Sequence, residues 1–222
     1  IDENNNSACV IDPGESTPII KFIESNNIKL KYILNTHHHF DHIGGNKELK
    51  NKFGSIVLGF EDDLNRIPEI DVPLKDNQIW RAENFVSKII HTPGHTSGHI
   101  CFHFFNEKLI FTGDTLFSLG CGRIFEGTYE EMFNSLKKIK SLPEETKVYC
   151  GHEYTFNNLK FCVNYDSKNL NLQKKSNDIK KKISNGLSTI PSTIREELDC
   201  NIFLRANDLQ SFTKLRDLKD NF

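Results

Sequence analysis

The stretch Thr36-His37-His38-His39-Phe40-Asp41-His42 packs metal-ligating side chains into a six-residue string of pattern His-x-His-x-Asp-His. Neighbouring loop residues can point to opposite sides, so one such string can open two metal sites. Imidazole nitrogen and carboxylate oxygen suit zinc, iron or manganese better than a thiolate-only site would. A catalytic centre needs three or four protein ligands and a position left for water. The missing ligands have candidates downstream. His95 lies in His91-Thr-Pro-Gly-His-Thr-Ser-Gly-His99, Asp114 in Phe111-Thr-Gly-Asp-Thr115, and His152 in Cys150-Gly-His-Glu-Tyr154. Each follows a short apolar or β-branched run (85–90, 108–111 and 147–150), which reads as a strand running into a glycine-containing loop. Ligands at the ends of several strands can converge on one sheet edge. A lone histidine after a strand is more often structural, and it is the joint occurrence of these residues that points to a metal centre.

At this level of detail the chain resembles the metallo-β-lactamase superfamily, in the order HxHxDH, His, Asp, Gly-His. The finer wording is similar to that of one family within it, glyoxalase II, the hydroxyacylglutathione hydrolases: THHHFDHIGGN, TPGHTSGHI, FTGDTLF, CGRIFEGT, VYCGHEYTFNNLKF, PSTIREE and LRDLKDNF. These segments run from about residue 8 to the last. The metal string specifies only the superfamily, whereas GHEYTFNNLKF and the basic C-terminal tail are the family-specific parts. The resemblance implies an α/β fold, an αββα metallo-β-lactamase-type sandwich with a C-terminal helical domain. It divides the chain into a catalytic domain over residues 1–152 and a glutathione-binding helical domain over residues 153–222. Relatives carry another strand or two before this start, so a longer native N-terminus is expected.

The resemblance also implies the site. His37, His39 and His95 would bind one divalent cation, Asp41, His42 and His152 a second, and Asp114 would bridge them. Zinc is the first expectation for both, with iron or manganese as alternatives. Asp41 would orient the attacking hydroxide. Arg216 and Lys219, three apart on the last helix, match the basic pair that grips the glycine carboxylate of glutathione. Tyr154 matches a tyrosine that bonds the glutathione backbone. Arg123 stands where lysine is usual and Phe125 where tyrosine is frequent, which keeps a charge and loses a hydroxyl. His38 falls outside the pattern and reads as supporting or exposed, His99 as support, Asn157 and Asn158 as local supports. Asp12, in Val10-Ile-Asp-Pro-Gly14, either hydrogen-bonds the ligands, as is usual in the superfamily, or simply starts a turn.

Bulk properties agree with a small-molecule enzyme. Hydrophobic residues make up 37% and the formal charge is −2, an ordinary globular balance that argues against nucleic acid as the main partner. No segment approaches the roughly 18 consecutive apolar residues of a membrane span. The six cysteines form no CxxC pair, which reads as free thiols in a reducing compartment. A cytoplasmic monomer is expected, with an organellar form left open.

Strands and helices should alternate up to about residue 152. A helix starts at Ser16-Thr-Pro18, and a strand over 28–34 feeds the metal loop. One helix covers 43–53, opening on Gly44-Gly45. Strands follow over 55–58, 78–81, 85–90, 100–105 and 108–111. Thr128-x-x-Glu131 and Thr193-x-x-Glu196 read as capping boxes. After residue 152 the pattern is helical only (154–163, 171–183, 193–198, 207–218), too short for a large core of its own.

Two divalent cations set against two carboxylates and a hydroxide leave a net positive site, which favours an anionic tetrahedral intermediate over a neutral acyl group. An alkyl thiol has a pKa of about 8.5 and can leave as thiolate without a strong acid, whereas an amide nitrogen would need a proton donor, and no side chain here is an evident one. The expected reaction is hydrolysis of S-D-lactoylglutathione to D-lactate and glutathione in methylglyoxal removal. Three rivals are weaker. A persulfide dioxygenase usually lacks the GHEYT segment and helical tail. A non-enzymatic binding relative typically loses ligands. A nuclease would want a basic surface or an added arm.

Overall fold

Four short apolar runs pair in parallel to build the first sheet. In the computed structural model, which describes residues 1–222, β1 (Ser7–Ile11), β2 (Lys29–Leu34), β3 (Ile56–Phe60) and β4 (Val72–Leu74) lie side by side in that order. Parallel neighbours require crossovers. Helix α1 (Thr17–Ser25) joins β1 to β2, and α2 (Phe40–Ile43) with α3 (Asn46–Phe53) joins β2 to β3. Pro18 sits in the first turn of α1, where its missing N–H has no intrahelical partner to lose. Ile23 of α1 and Leu49 of α3 bury against Ala8, Leu30, Ile33 and Val57 of the strands, with Ile19, Ile20 and Phe53 packed beside them. The crossovers thus bring the loops after β1 and β2, which carry Asp12 and the histidine string, to the same sheet edge.

The single helix expected over 43–53 is broken. Gly44 and Gly45 separate α2 from α3 because the backbone there packs on the Pro13–Gly14 turn: Gly45 N donates to Pro13 O at 2.7 Å. A Cβ at Gly44 would stand 2.5 Å from Gly14 O, and one at Gly45 would stand 2.7 Å from Pro13 O. An antiparallel set, β5 (Ile79–Ala82), β6 (Phe85–His91) and β7 (Ile100–Phe104), completes the first compact unit, which spans Ile1–His91 and Gly98–Phe104.

The second unit takes Thr92–Ser97 and Phe105–Phe222. Its strand β8 (Leu109–Gly113) leads into a tight hairpin, β9 (Leu116–Phe117) and β10 (Gly120–Cys121), then α4 (Tyr129–Lys140) and β11 (Lys147–Cys150). β11 pairs parallel with β8. Helices α5 (Thr155–Tyr165) and α6 (Leu170–Ser184) follow, then a short strand β12 (Ser192–Thr193), α7 (Ile194–Cys200) and α8 (Leu209–Asp220). Both capping boxes form, at Thr128 with Glu131 and at Thr193 with Glu196. β12 corrects the helices-only expectation: Ser192 and Thr193 pair antiparallel with Val148 and Lys147 just before Thr193 caps α7. The helices share one aromatic core, in which Phe203 lies 5.9 Å from Phe161 and 6.2 Å from Phe212, and Phe212 of α8 meets Phe133 of α4 at 5.7 Å. No helix is long and apolar enough to cross a membrane.

Candidate metal centre and substrate cavity

In the first unit the histidine string is organised by one carboxylate. Asp12 leaves β1 with φ +50°, a left-handed conformation that aspartate tolerates. Its Oδ1 accepts from the Thr36 amide at 2.7 Å, and its Oδ2 accepts from the Thr36 hydroxyl at 2.7 Å and from His42 Nδ1 at 3.0 Å. Asp12 therefore turns the chain and supports the loop at once. With its proton given to Asp12, Thr36 Oγ1 accepts from His37 Nδ1 at 3.0 Å. These partners fix the protons of His37 and His42 on Nδ1 and present the Nε2 lone pairs, the arrangement a metal-ligating imidazole needs. His37 Nε2 meets His39 Nδ1 at 3.0 Å, and His42 Nε2 lies 3.7 Å from Asp41 Oδ2. His37 and His42 are buried. His99 stacks on His37 at 4.9 Å, a packing support. His38 lies outside this set, its Nδ1 3.7 Å from the buried carboxylate of Asp63. Asp12→Ala is expected to weaken metal affinity about ten- to hundredfold, measured by titration against a competing chelator. Unchanged affinity would reduce Asp12 to a turn residue.

In the second unit three expected ligands come from three separate loops and meet at one oxygen. His95 Nδ1 donates to Arg123 O at 2.8 Å, which again leaves Nε2 as the nitrogen a cation could use. His95 Nε2 and His152 Nε2 each lie 3.5 Å from the same atom, Asp114 Oδ2. An oxygen held equally between two imidazoles can serve a cation on either side. Gly122 permits this: a Cβ there would stand 1.9 Å from Asp114 O and 3.2 Å from His95 Nδ1. Imidazole lone pairs of fixed tautomer beside carboxylates suit a divalent first-row cation.

His95 and Asp114 also open onto a cavity of about 380 Å³ in this unit, within the size range of ligand pockets. Arg123, Phe125, Tyr154, Arg216 and Lys219, the side chains expected to touch substrate, all line it. Phe125 packs 5.1 Å from the His95 ring, and Tyr154 stacks on His152 at 4.9 Å. Lys219 Nζ donates to Asn157 O at 3.3 Å. Burial, then the guanidiniums of Arg216 and Arg123, push its ammonium below the ordinary lysine range. Arg216 is not a solvated helix-face cation. It is 3% exposed, with Nη1 donating to Cys121 O at 2.8 Å and Nη2 to Asp220 Oδ1 at 2.7 Å. Phe117, Cys121, Asn157 and Asn158 also line the cavity. Sequence reasoning treated the two asparagines as supports and gave Cys121 no task.

The hairpin β9–β10 forms one wall of this cavity, and the helical segment holds it almost atom by atom. Asn201 Nδ2 donates to Gly120 O at 3.0 Å and Phe117 O at 3.4 Å, and Asn158 Nδ2 donates to Ser118 O at 3.1 Å. Cys162 Sγ donates to Leu119 O at 3.2 Å. Leu119, at φ +61°, donates its amide to Glu197 Oε2 at 2.8 Å. Burial pushes the Glu197 carboxyl above its ordinary range, and Asn201 Nδ2 bonds it at 3.0 Å. A leucine in the left-handed region is strained, and these contacts offset the strain.

Residues 1–152 match the family described as the metallo-beta-lactamase superfamily, and residues 153–222 match the hydroxyacylglutathione hydrolase C-terminus. A hydroxyacylglutathione hydrolase of Pelagibacter ubique (strain HTCC1062) is 63% identical over 100% of this chain and 93% of its own length. Among solved structures, the BLEG-1 B3 metallo-beta-lactamase superposes with a TM-score of 0.71 at 23% identity, covering 92% of this chain and 91% of that one. A protein called TTHA1623, solved in a di-iron-bound form, is 30% identical with a TM-score of 0.57, covering 64% of this chain and 80% of that one. The fold is therefore the α/β sandwich of that superfamily with a helical C-terminus.

Proposed function

Because the chain belongs to the hydroxyacylglutathione hydrolases of the metallo-beta-lactamase superfamily, it is a metal-dependent thioester hydrolase, and we infer that its cavity binds the glutathione part of S-D-lactoylglutathione beside a dinuclear centre. The products are D-lactate and glutathione, which makes the reaction a step of methylglyoxal detoxification. One observation carries the reading of the cavity: the residues assigned to glutathione share a single concavity with His95 and Asp114. Residues 1–152 would then form the catalytic domain and residues 153–222 the glutathione-binding one.

His37, His39 and His95 would hold one cation, Asp41, His42 and His152 the other, and Asp114 both. Zinc is the first choice, with iron or manganese as alternatives; the di-iron form of TTHA1623 favours keeping iron in view. When bound, such cations supply Lewis acidity, which activates water and stabilises negative charge on the reacting oxygen and the departing sulfur. The protein supplies the rest. Asp12 and the Arg123 carbonyl keep the ligand imidazoles in the right tautomer. Asp41, whose side chain is 62% exposed, would orient the attacking hydroxide. Arg216 and Lys219, with Arg123, offer charge to the substrate carboxylate, Tyr154 offers a hydroxyl, and Phe125 covers the His95 ring. Glutathione contacts far from the scissile bond change little as it breaks, so they act as uniform binding. Lys219→Ala is accordingly expected to raise KM about tenfold while kcat stays within about threefold, measured by steady-state thioester hydrolysis. An unchanged KM would take the substrate out of this cavity.

A further inference from the structure

We propose that Asp220 is a specificity-determining residue, an internal carboxylate that competes with the carboxylate of a glutathione thioester for the cavity's guanidiniums and thereby holds down affinity for that anion. The proposal rests on the reading of the cavity as the glutathione site. Local helix energetics do not call for Asp220. It is the last residue of α8, where a carboxylate opposes the negative end of the helix dipole. Its partner Arg216 lies four residues N-terminal to it, the less favourable order for such a pair.

Its placement answers to the cavity instead. Asp220 Oδ1 accepts from Arg216 Nη2 at 2.7 Å and lies 3.5 Å from Arg123 Nε. One oxygen thus ties together two guanidiniums from segments nearly a hundred residues apart, and both guanidiniums line the cavity beside Lys219. The other acid of the same turn, Asp217, is occupied elsewhere by the Tyr129 hydroxyl at 2.5 Å. The Asp220 side chain is 35% exposed, so an incoming anion can reach the same groups.

Three cations thus face the cavity, and Asp220, just outside its lining, is the carboxylate that contacts two of them. Burial, then the guanidiniums of Arg216 and Arg123, lower the Lys219 ammonium, and the field of Asp220 opposes them. A substrate carboxylate entering here gains Lys219 and shares or displaces Asp220 at Arg123, while Arg216 stays anchored on Cys121 O. A tethered carboxylate competes at high effective concentration. Affinity for a thioester and for product glutathione, which carry the same carboxylate, is lowered together, so the device favours product release.

The test compares the wild-type metal-loaded chain with Asp220→Asn, using Asp217→Asn as control. It reads KM and kcat for a glutathione thioester, the Kd of glutathione by calorimetry, and Tm. Asp220→Asn is expected to lower both KM and the glutathione Kd about three- to tenfold at low salt, with kcat unchanged and Tm lowered, because the buried Arg216 keeps a hydrogen-bond partner and loses its counter-charge. The gain should shrink as salt screens it, and Asp217→Asn should leave KM and Kd as they are. Unchanged or raised KM and Kd in Asp220→Asn overturn the proposal, and so does an equal gain from Asp217→Asn. A wild-type chain that cleaves the thioester and binds glutathione, beside an unresponsive Asp220→Asn, overturns the role of Asp220 alone. A wild-type chain that does neither overturns the reading of the cavity.

Discussion

Asp114→Asn is expected to lower kcat/KM for thioester hydrolysis by about a thousandfold or more. One oxygen of this side chain stands 3.5 Å from both His95 Nε2 and His152 Nε2, so an amide there loses a charge where two imidazoles converge. Asparagine keeps the size, and the substitution touches neither the Gly122 packing nor the His95–Arg123 bond, so the fold should survive and the metal content should fall. Elemental analysis beside kinetics checks both halves. Full metal content with near wild-type turnover would remove Asp114 from the centre.

Asn201→Ala is expected to cost about 3 kcal/mol, or roughly 6–12 °C in Tm. Asn201 is fully buried. Its amide donates to Phe117 O, Gly120 O and Glu197 Oε2, and its carbonyl accepts from Phe203 N at 3.0 Å. Truncation strands two hairpin carbonyls and a buried carboxyl without their donor, the expensive direction of a lost hydrogen bond. The hairpin carries Phe117 and Cys121 of the cavity wall, so KM for the thioester should rise as Tm falls. An unchanged Tm would mean that the hairpin holds its shape without the helical segment.

What the sequence made legible was local. The capping boxes at Thr128 and Thr193, the Pro18 helix start and the strands over 28–34 and 85–90 depend on neighbours within a few residues, and each is found within a residue or so of its expected bounds. The candidate ligands stood out because imidazole and carboxylate chemistry is written in residue type. The cavity residues were named only through resemblance, since nothing in the spacing of Arg123, Tyr154 and Lys219 brings them together. The misses are long-range. The break at Gly44-Gly45 depends on a turn some thirty residues earlier, and β12 exists because β11 offers it an edge. Glu197, Asn201 and Asp220 read as ordinary helix and loop residues until the hairpin and Arg123 are seen beside them.

The central claim, that bound cations and not a side-chain nucleophile drive thioester cleavage, is tested most directly by elemental analysis of the purified chain paired with hydrolysis before and after chelation. About two divalent ions per chain are expected, with hydrolysis lost on their removal and restored on their return. Undiminished hydrolysis by the metal-free chain would contradict the account.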